Sequence, residues 1–323
     1  MTTTGGTSDA DVTHMLRPRR RITGMSAVLL PHLADGSEDW PAFEAHIERT
    51  AAAGLVPAVN MDTGFVQLLD PATRVRVLDI AEATSPRSLG FVAGAYVPDT
   101  PGDAYDAAAY EEAAKAVLER GGTPVIFPSN GLNALDPDSW TSAHVTLGSR
   151  VDRFIAFELG EQFVPYGRIY PLEAYRGLLG VAQCIGAKHS SLSRQAEWDR
   201  LVIRDAIRPD FRVLTGNDLA IDMVMYGSDY LLGLSTFAPD AFALRDRWWH
   251  EGDSRFYELN DVLQYLGQFT FRHPVPGYRH DAAMALQLRG WAVSDNIPAT
   301  EIRRPESDRA VLADIVGRLA QWK

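Results

Sequence analysis

The sequence predicts an α/β fold, a single (β/α)₈ TIM barrel with a helical C-terminal extension, and three observations predict it. Short β-rich apolar runs recur about every 25 to 35 residues, the segments between them carry helical periodicity, and the runs number eight. Alternating strands and helices build a parallel sheet, and eight such units close it into a barrel. An open, doubly wound dinucleotide-binding sheet would need a GxGxxG turn after its first strand, and that turn is missing. The chain has 323 residues, more than most domains, but barrels of roughly 250 residues fold as one unit.

In chain order the runs are Met25 to Pro31, Leu55 to Asn60, Leu89 to Ala95, Pro124 to Pro128, Phe154 to Phe157, Cys184 to Lys188, Phe211 to Thr215 and Tyr230 to Ser235. The clearest helix follows the first run. Asp39 can cap it, Pro41 falls in its first turn, Trp40, Phe43 and Ile47 repeat on one face, and Gly54 stops it. Similar segments occupy Asp106 to Arg120 and Gln195 to Ile207, and Asn217 or Asp218 can cap a helix after the seventh run. Beyond Ser235 the pattern is helical throughout, over Asp240 to His250, Arg255 to Gln268, Arg279 to Leu288 and Glu306 to Trp322. The expected organisation is a disordered lead over 1–20, a barrel over 21–240 and a helical extension over 241–323.

Composition narrows the function. Apolar residues make up 46% and charged residues 23%, which permits a sizeable core. A formal charge of -11 argues against a nucleic-acid partner, whose phosphates require a basic surface. The one basic run, Arg17 to Arg21, reads as a solvated lead into the first strand. Cys184 is the only cysteine and cannot pair within the chain, which suits a reducing cytoplasm. No run is long enough for a membrane span, and the N-terminus lacks the apolar core of a signal peptide, so a cytoplasmic protein is expected. The eight histidines form neither HxH nor HExxH, so a metal centre is not expected, and neither a GxSxG elbow nor a P-loop is present.

The chain holds three lysines against 28 arginines, so each lysine can be weighed singly. Lys115 lies four residues after Glu111 on a predicted helix and reads as an ion-pair partner, while Lys323 ends the chain. Lys188 closes the apolar run CIGAK, where a strand would finish at the mouth of the barrel and where active sites of this fold gather. Period-two alternation places Cys184 and Gly186 on its face, with Ile185 and Ala187 on the other. Desolvation there lowers an amine's pKa and yields the neutral nucleophile that attacks a carbonyl. Arginine stays protonated and cannot do this. The competing reading is a buried lysine paired with a carboxylate to close the barrel.

From about Arg21 to Trp291 the sequence resembles the dihydrodipicolinate synthase and N-acetylneuraminate lyase superfamily. The opening GMSAVLLPHLADGSEDWPAFEAHIERTAAAGL is similar to that family's TP-F-DG-ID strand, helix and GxxGL turn. The stretch IGAKHSSLS resembles its GIK-E/D-S/T segment, which implies Lys188 as the Schiff-base lysine, and FRVLTGNDLA resembles its G-x-D segment. The resemblance implies a class I aldolase or lyase, a homo-oligomer (tetramer or dimer), a small carbonyl substrate, and no metal or organic cofactor. Gly216 of the G-x-D segment and Leu232 of the eighth run are assigned to the pocket lining.

Departures from the family pattern carry information. In place of the GTTGE turn that holds a 2-oxo acid, this chain has Met61, Asp62, Thr63, Gly64 and Phe65. Thr63 and Gly64 keep substrate-binding places, while Asp62 would repel a substrate carboxylate by about 1 to 4 kcal/mol at 4 Å for dielectrics of 80 to 20. Asp62 would suit hydroxyl groups or act as a base, unless it is a turn cap pointing away. Phe157 replaces the family's strand-five tyrosine and cannot move a proton. The next residue, Glu158, could serve as acid or base if a turn brings it into the mouth, and is otherwise a structural carboxylate. After Pro128, Ser129 and Asn130 replace a tyrosine pair and predict a wider, hydrophilic pocket. His189 could titrate near neutrality although alternation turns it away from Lys188, and the family often places an acid-binding arginine near Arg168.

These readings define an expected Schiff-base aldolase or lyase acting on a small hydroxylated carbonyl compound, with Lys188 as nucleophile and Asp62 or Glu158 shuttling the proton. Two alternatives remain: dehydration of a sugar acid through the same imine, and a barrel that binds a ligand without chemistry.

Overall fold

A computed structural model describes residues 15–322. Eight parallel strands pair in chain order: β1 (Gly24–Ala27), β2 (Val56–Val59), β3 (Val92–Ala95), β4 (Thr123–Ile126), β5 (Phe154–Leu159), β6 (Cys184–Ser190), β7 (Arg212–Thr215) and β8 (Asp229–Leu232). Pairing of β8 with β1, Met25 beside Leu231, closes the barrel. Residues 1–14 of the expected disordered lead lie outside the described residues.

The helices follow as expected for βα units. After β1 comes α1 (Trp40–Ala53), after β2 α2 (Pro71–Thr84), after β3 α3 (Ala107–Glu119), and after β4 a short α4 (Asn130–Ala134) with α5 (Pro137–Gly148). Then α6 (Leu172–Leu179) and α7 (Arg194–Ile207) follow β5 and β6. The cap of α1 forms as its sequence requires: Asp39 accepts from the Ala42 amide at 3.1 Å, and Gly54 turns the chain with φ of 94°. Phe43 and Ile47 are buried on its inner face, worth about 1.5 to 3 kcal/mol each, so a charge at Ile47 would unseat the helix.

No α-helix follows β7. The segment is a 3₁₀ turn, Ile221–Tyr226, without a side-chain cap, and Asp218 instead accepts the Leu234 amide at 2.8 Å. The eighth barrel helix, α8 (Pro239–Glu251), packs on α1 and β1, so the barrel extends past residue 240. The extension proper is α9 (Arg255–Thr270), α10 (Tyr278–Leu288) and α11 (Asp308–Leu319), which cluster with one another. The basic N-terminal run is only partly solvated: Arg20 donates to Asp229 at 2.5 Å and to the Ser228 carbonyl at 2.8 Å, tying the lead to β8.

Two packed layers result. Inward-facing Met25, Ala58, Val92, Val125, Ile155, Phe157, Leu214 and Leu231 fill the barrel, while outward-facing residues meet the helices. The strand-six alternation differs from expectation at its start. A register shift between Phe154 and Ile155 leaves Cys184 opposite Phe154 and Gly186 opposite Ile155. Cys184 therefore packs outward against the helices and Ile185 packs toward the interior, but from Gly186 onward the inward face carries Lys188.

Candidate active site around Lys188

Lys188 sits beside Phe157 and Leu214 in the strand register, on the inner face near the C-terminal end of β6. Its side chain is 5% exposed, and Nζ lies 4.3 Å from the centre of the Phe157 ring. The amine makes no hydrogen bond among the described residues; its ion-pair contact is Asp62 Oδ1, 3.9 Å away. Burial lowers its pKa, with Asp62 and Asp218 acting in the opposite direction. Phe157 thus gives Lys188 an apolar ring face and leaves no phenol at that position.

The turn after β2 presents Asp62. Residues Asp62–Gly64 form one 3₁₀ turn between left-handed residues at Asn60 (φ 50°) and Phe65 (φ 60°). Gly64 carries no side chain because a Cβ would meet the Val28 carbonyl at 3.0 Å. Phe65 turns away and packs edge-on against His32 with ring centres 5.5 Å apart. Asp62 is not a turn cap pointing outward: its Oδ2 accepts from the Tyr278 hydroxyl at 2.8 Å while Oδ1 faces Lys188. Thr63 Oγ1 lies 2.8 Å from the same phenol oxygen.

Two groups in this cluster escaped the sequence reading. Tyr278 opens α10, 216 residues from Asp62 in the chain, and nothing in its local pattern marks it. Asp218 lies in the GND segment and read only as a helix cap; it is buried within electrostatic reach of Lys188 and Asp62. Burial lifts its pKa to about 7, against the Leu234 amide and Lys188, which favour its charge. Gly216, assigned to the pocket from sequence, stands against the Lys188 stem, where a Cβ would be 3.0 Å from Cε.

Other assigned residues lie elsewhere. β5 continues straight through Glu158, so this side chain points outward. There it accepts two 2.7 Å bonds from Arg200, one of 3.0 Å from His189 Nδ1 and one of 3.0 Å from the Tyr170 amide. Burial would raise its pKa, but Arg200 and His189 prevail and hold it at about 2, so it is a carboxylate at neutral pH. His189 is fixed in the same network, its Nε2 bonded to Ser191 Oγ at 2.7 Å. Neither residue joins Lys188.

Ser129 caps α4 by accepting from the Leu132 amide at 3.2 Å, and Asn130 is held by Asp99 at 2.8 Å. Arg168 donates to the Asn133 and Leu135 carbonyls and lies over the Tyr170 ring at 4.7 Å, so its guanidinium is occupied by the end of α4 and by a ring of its own loop. Leu232 pairs with Ser26 on the outward face of the barrel, buried among helix residues. The expected hydrophilic wall from Ser129 and Asn130 is therefore engaged in local structure. Among the described residues no cluster of three or more histidine, cysteine or acidic side chains is arranged to hold a metal.

The strands close into a (β/α)₈ barrel that holds a buried lysine on the inner face of β6. No family model and no curated protein matches the sequence. Solved structures do match in fold. Dihydrodipicolinate synthase from Rhodopseudomonas palustris superposes with a TM-score of 0.77 at 17% identity, over 94% of this chain and 99% of that one. Dihydrodipicolinate synthase from Thermotoga maritima gives 0.73 at 16%, over 93% and 99%. A prophage protein of the dihydrodipicolinic acid synthase family from E. coli K12, in complex with pyruvate, gives 0.75 at 17%, over 92% and 98%. No helix among the described residues is long and apolar enough to cross a membrane.

Proposed function

We propose that this protein is a class I lyase in which Lys188 forms an imine with a small hydroxylated carbonyl compound and makes or breaks an adjacent carbon–carbon bond. The observation that carries the reading is the Lys188 amine, buried, free of hydrogen bonds among the described residues, and 3.9 Å from one carboxylate oxygen. An ion-paired structural lysine would be bonded at about 2.8 Å. The fold likeness to dihydrodipicolinate synthases supports the same chemistry.

In this reading the neutral amine adds to the carbonyl carbon, the resulting carbinolamine loses water, and a protonated imine forms. That cation accepts the electron pair of the neighbouring carbon–carbon bond as it breaks; an aldehyde departs and an enamine remains. Protonation of the enamine carbon and hydrolysis by water release the product and restore Lys188. Asp62 is the carboxylate placed to take and return protons at the amine. Its charge also disfavours a substrate carboxylate next to the ketone, so the substrate class is a hydroxylated ketone or aldehyde, sugar-derived compounds among them.

Elimination of water through the same imine is a second reading, favoured by Asp218, a buried carboxyl with a pKa near about 7 that can protonate a leaving hydroxyl. A cytoplasmic homo-oligomer without metal or organic cofactor completes the proposal. The test is reductive trapping: intact mass after borohydride treatment with pyruvate, dihydroxyacetone or a hydroxylated sugar ketone, for the wild type and Lys188→Ala. An adduct on the wild type alone is expected, with dihydroxyacetone trapped faster than pyruvate. Failure of every carbonyl to add, beside a working control aldolase, would leave a ligand-binding barrel in its place.

A further inference from the structure

The C-terminal extension reaches into the barrel mouth through one side chain. Tyr278, the first residue of α10, is buried, and its ring stacks on Phe271 with centres 4.3 Å apart and planes 17° apart. Gly233 leaves room for that ring, since a Cβ there would meet Cε2 at 3.0 Å. Arg279, the next residue, donates to the Asp62 carbonyl at 3.1 Å and is itself paired with Glu301 at 2.6 Å. Both the carboxylate and the backbone of Asp62 are therefore gripped from α10.

The grip has a direction. The phenol donates to Asp62 Oδ2 at 2.8 Å, so the Thr63 hydroxyl, 2.8 Å from the same phenol oxygen, is the donor in that second contact. A chain of donors runs from Thr63 through Tyr278 to one carboxylate oxygen, leaving the other turned toward Lys188 but 1.1 Å beyond a 2.8 Å hydrogen bond, the difference from the 3.9 Å observed. Burial raises the phenol's pKa well above 10, so it keeps its proton and stays a donor. Among the described residues, the charged or titratable groups that act on this cluster include Asp218 after β7, Tyr166 from the loop after β5, and Arg279.

We propose that Tyr278 is a positioning residue that holds the Asp62 carboxylate back from Lys188, so that Asp62 can receive the lysine's proton without locking the amine in an ion pair. The role rests on Lys188 being the nucleophile proposed above. Proton handling at the amine falls to a carboxylate on the β2 turn disciplined by a phenol from α10. The catalytic group is Asp62; Tyr278 acts through it.

Without the phenol the carboxylate is free to swing onto Nζ. Closing 3.9 Å to contact at an effective dielectric of about 20 strengthens the attraction enough to move the lysine's titration upward by about one pH unit. Cyanate reads this directly, because isocyanic acid adds across the N–H of a neutral amine to give a urea and does not react with ammonium. It contains no ketone or aldehyde, so its outcome is separate from whether any carbonyl is trapped.

The experiment follows carbamylation of Lys188 against pH by peptide mass spectrometry in the full chain, with exposed Lys115 as internal standard. Tyr278→Phe, which keeps the stacked ring, should move the Lys188 midpoint upward and slow its modification about tenfold at pH 7, with rates converging in alkali. Asp62→Asn should move the midpoint down, and adding Tyr278→Phe to Asp62→Asn should change nothing further. If Tyr278→Phe fails to fold, Thr63→Val, which removes the donor behind the phenol, should shift the midpoint in the same direction. An unchanged midpoint, a shift that persists in the Asp62→Asn background, or a Lys188 that never reacts while Lys115 does would each overturn the proposal.

Discussion

Gly216 lies against the stem of Lys188: a methyl group on its Cα would stand 3.0 Å from Lys188 Cε and 2.0 Å from Ser190 Oγ. The lysine's path across the barrel is set by this absence of a side chain on the neighbouring strand end. Gly216→Ala is expected to displace the amine from the geometry that trapping requires. A displacement near 1 Å costs roughly a hundredfold in rate. The check is borohydride trapping with dihydroxyacetone beside a thermal melt, and an unchanged trapping rate would mean that Ser190 alone gives way.

Asp62 stands in the turn after β2 with one carboxylate oxygen toward Lys188. Asp62→Thr removes a charge of the same sign as a substrate carboxylate, whose repulsion is at least about 1 kcal/mol at 4 Å. Pyruvate trapping should therefore rise about fivefold or more relative to dihydroxyacetone. Equal ratios in both proteins would show that Asp62 does not set this preference.

Glu158 carries a stability prediction in acid. Burial opposes its charge, but Arg200 and His189 hold its folded pKa near about 2, below the ordinary carboxylate value of roughly 4.3. A depressed carboxylate stabilises the fold above its unfolded pKa, and that stability is lost as pH falls through the folded value. Between about pH 4.5 and 2 the loss amounts to about 3 kcal/mol. Glu158→Gln should melt lower at pH 7 and show a flatter acid limb in urea titrations, while still forming the Lys188 adduct. Loss of the adduct in a folded variant would return Glu158 to the chemistry.

Asp218 predicts the opposite slope. Its folded pKa, raised by burial to about 7, exceeds the unfolded value, so its contribution is fully present in acid and is lost as pH climbs through 7. Asp218→Asn keeps an acceptor for the Leu234 amide and carries no charge. The variant should match the wild type near pH 3 and exceed it at pH 8, by up to about 4 kcal/mol. A wild type more stable than the variant at pH 8 would contradict this.

How much of this was legible differs between fold and site. Eight apolar runs at regular spacing and the capped α1 helix are local features, written in periodicity and in Asp39, Pro41 and Gly54. The outward turn of His189 followed from alternation alone. Cys184 did not, because the irregularity between Phe154 and Ile155 concerns two strands and leaves no trace in either one. Glu158 depended on whether β5 continued or turned, which is decided by its pairing with β6 and by Arg200 waiting on α7. Ser129 and Asn130 read as pocket groups, but Asp99 and the start of α4 claim them.

By itself the sequence determined a closed barrel and singled out Lys188, because strand and helix periods are local and because a lysine ending an apolar run is conspicuous among 28 arginines. Only the tertiary structure decided what surrounds that lysine. Tyr278 meets Asp62 across 216 residues of chain, and Gly216 meets Lys188 across a strand pair. Hydrogen bonds and packing act over a few ångströms in space whatever the separation in sequence, so the partners that tune a buried amine are fixed by the closure of the barrel and the docking of the C-terminal helices.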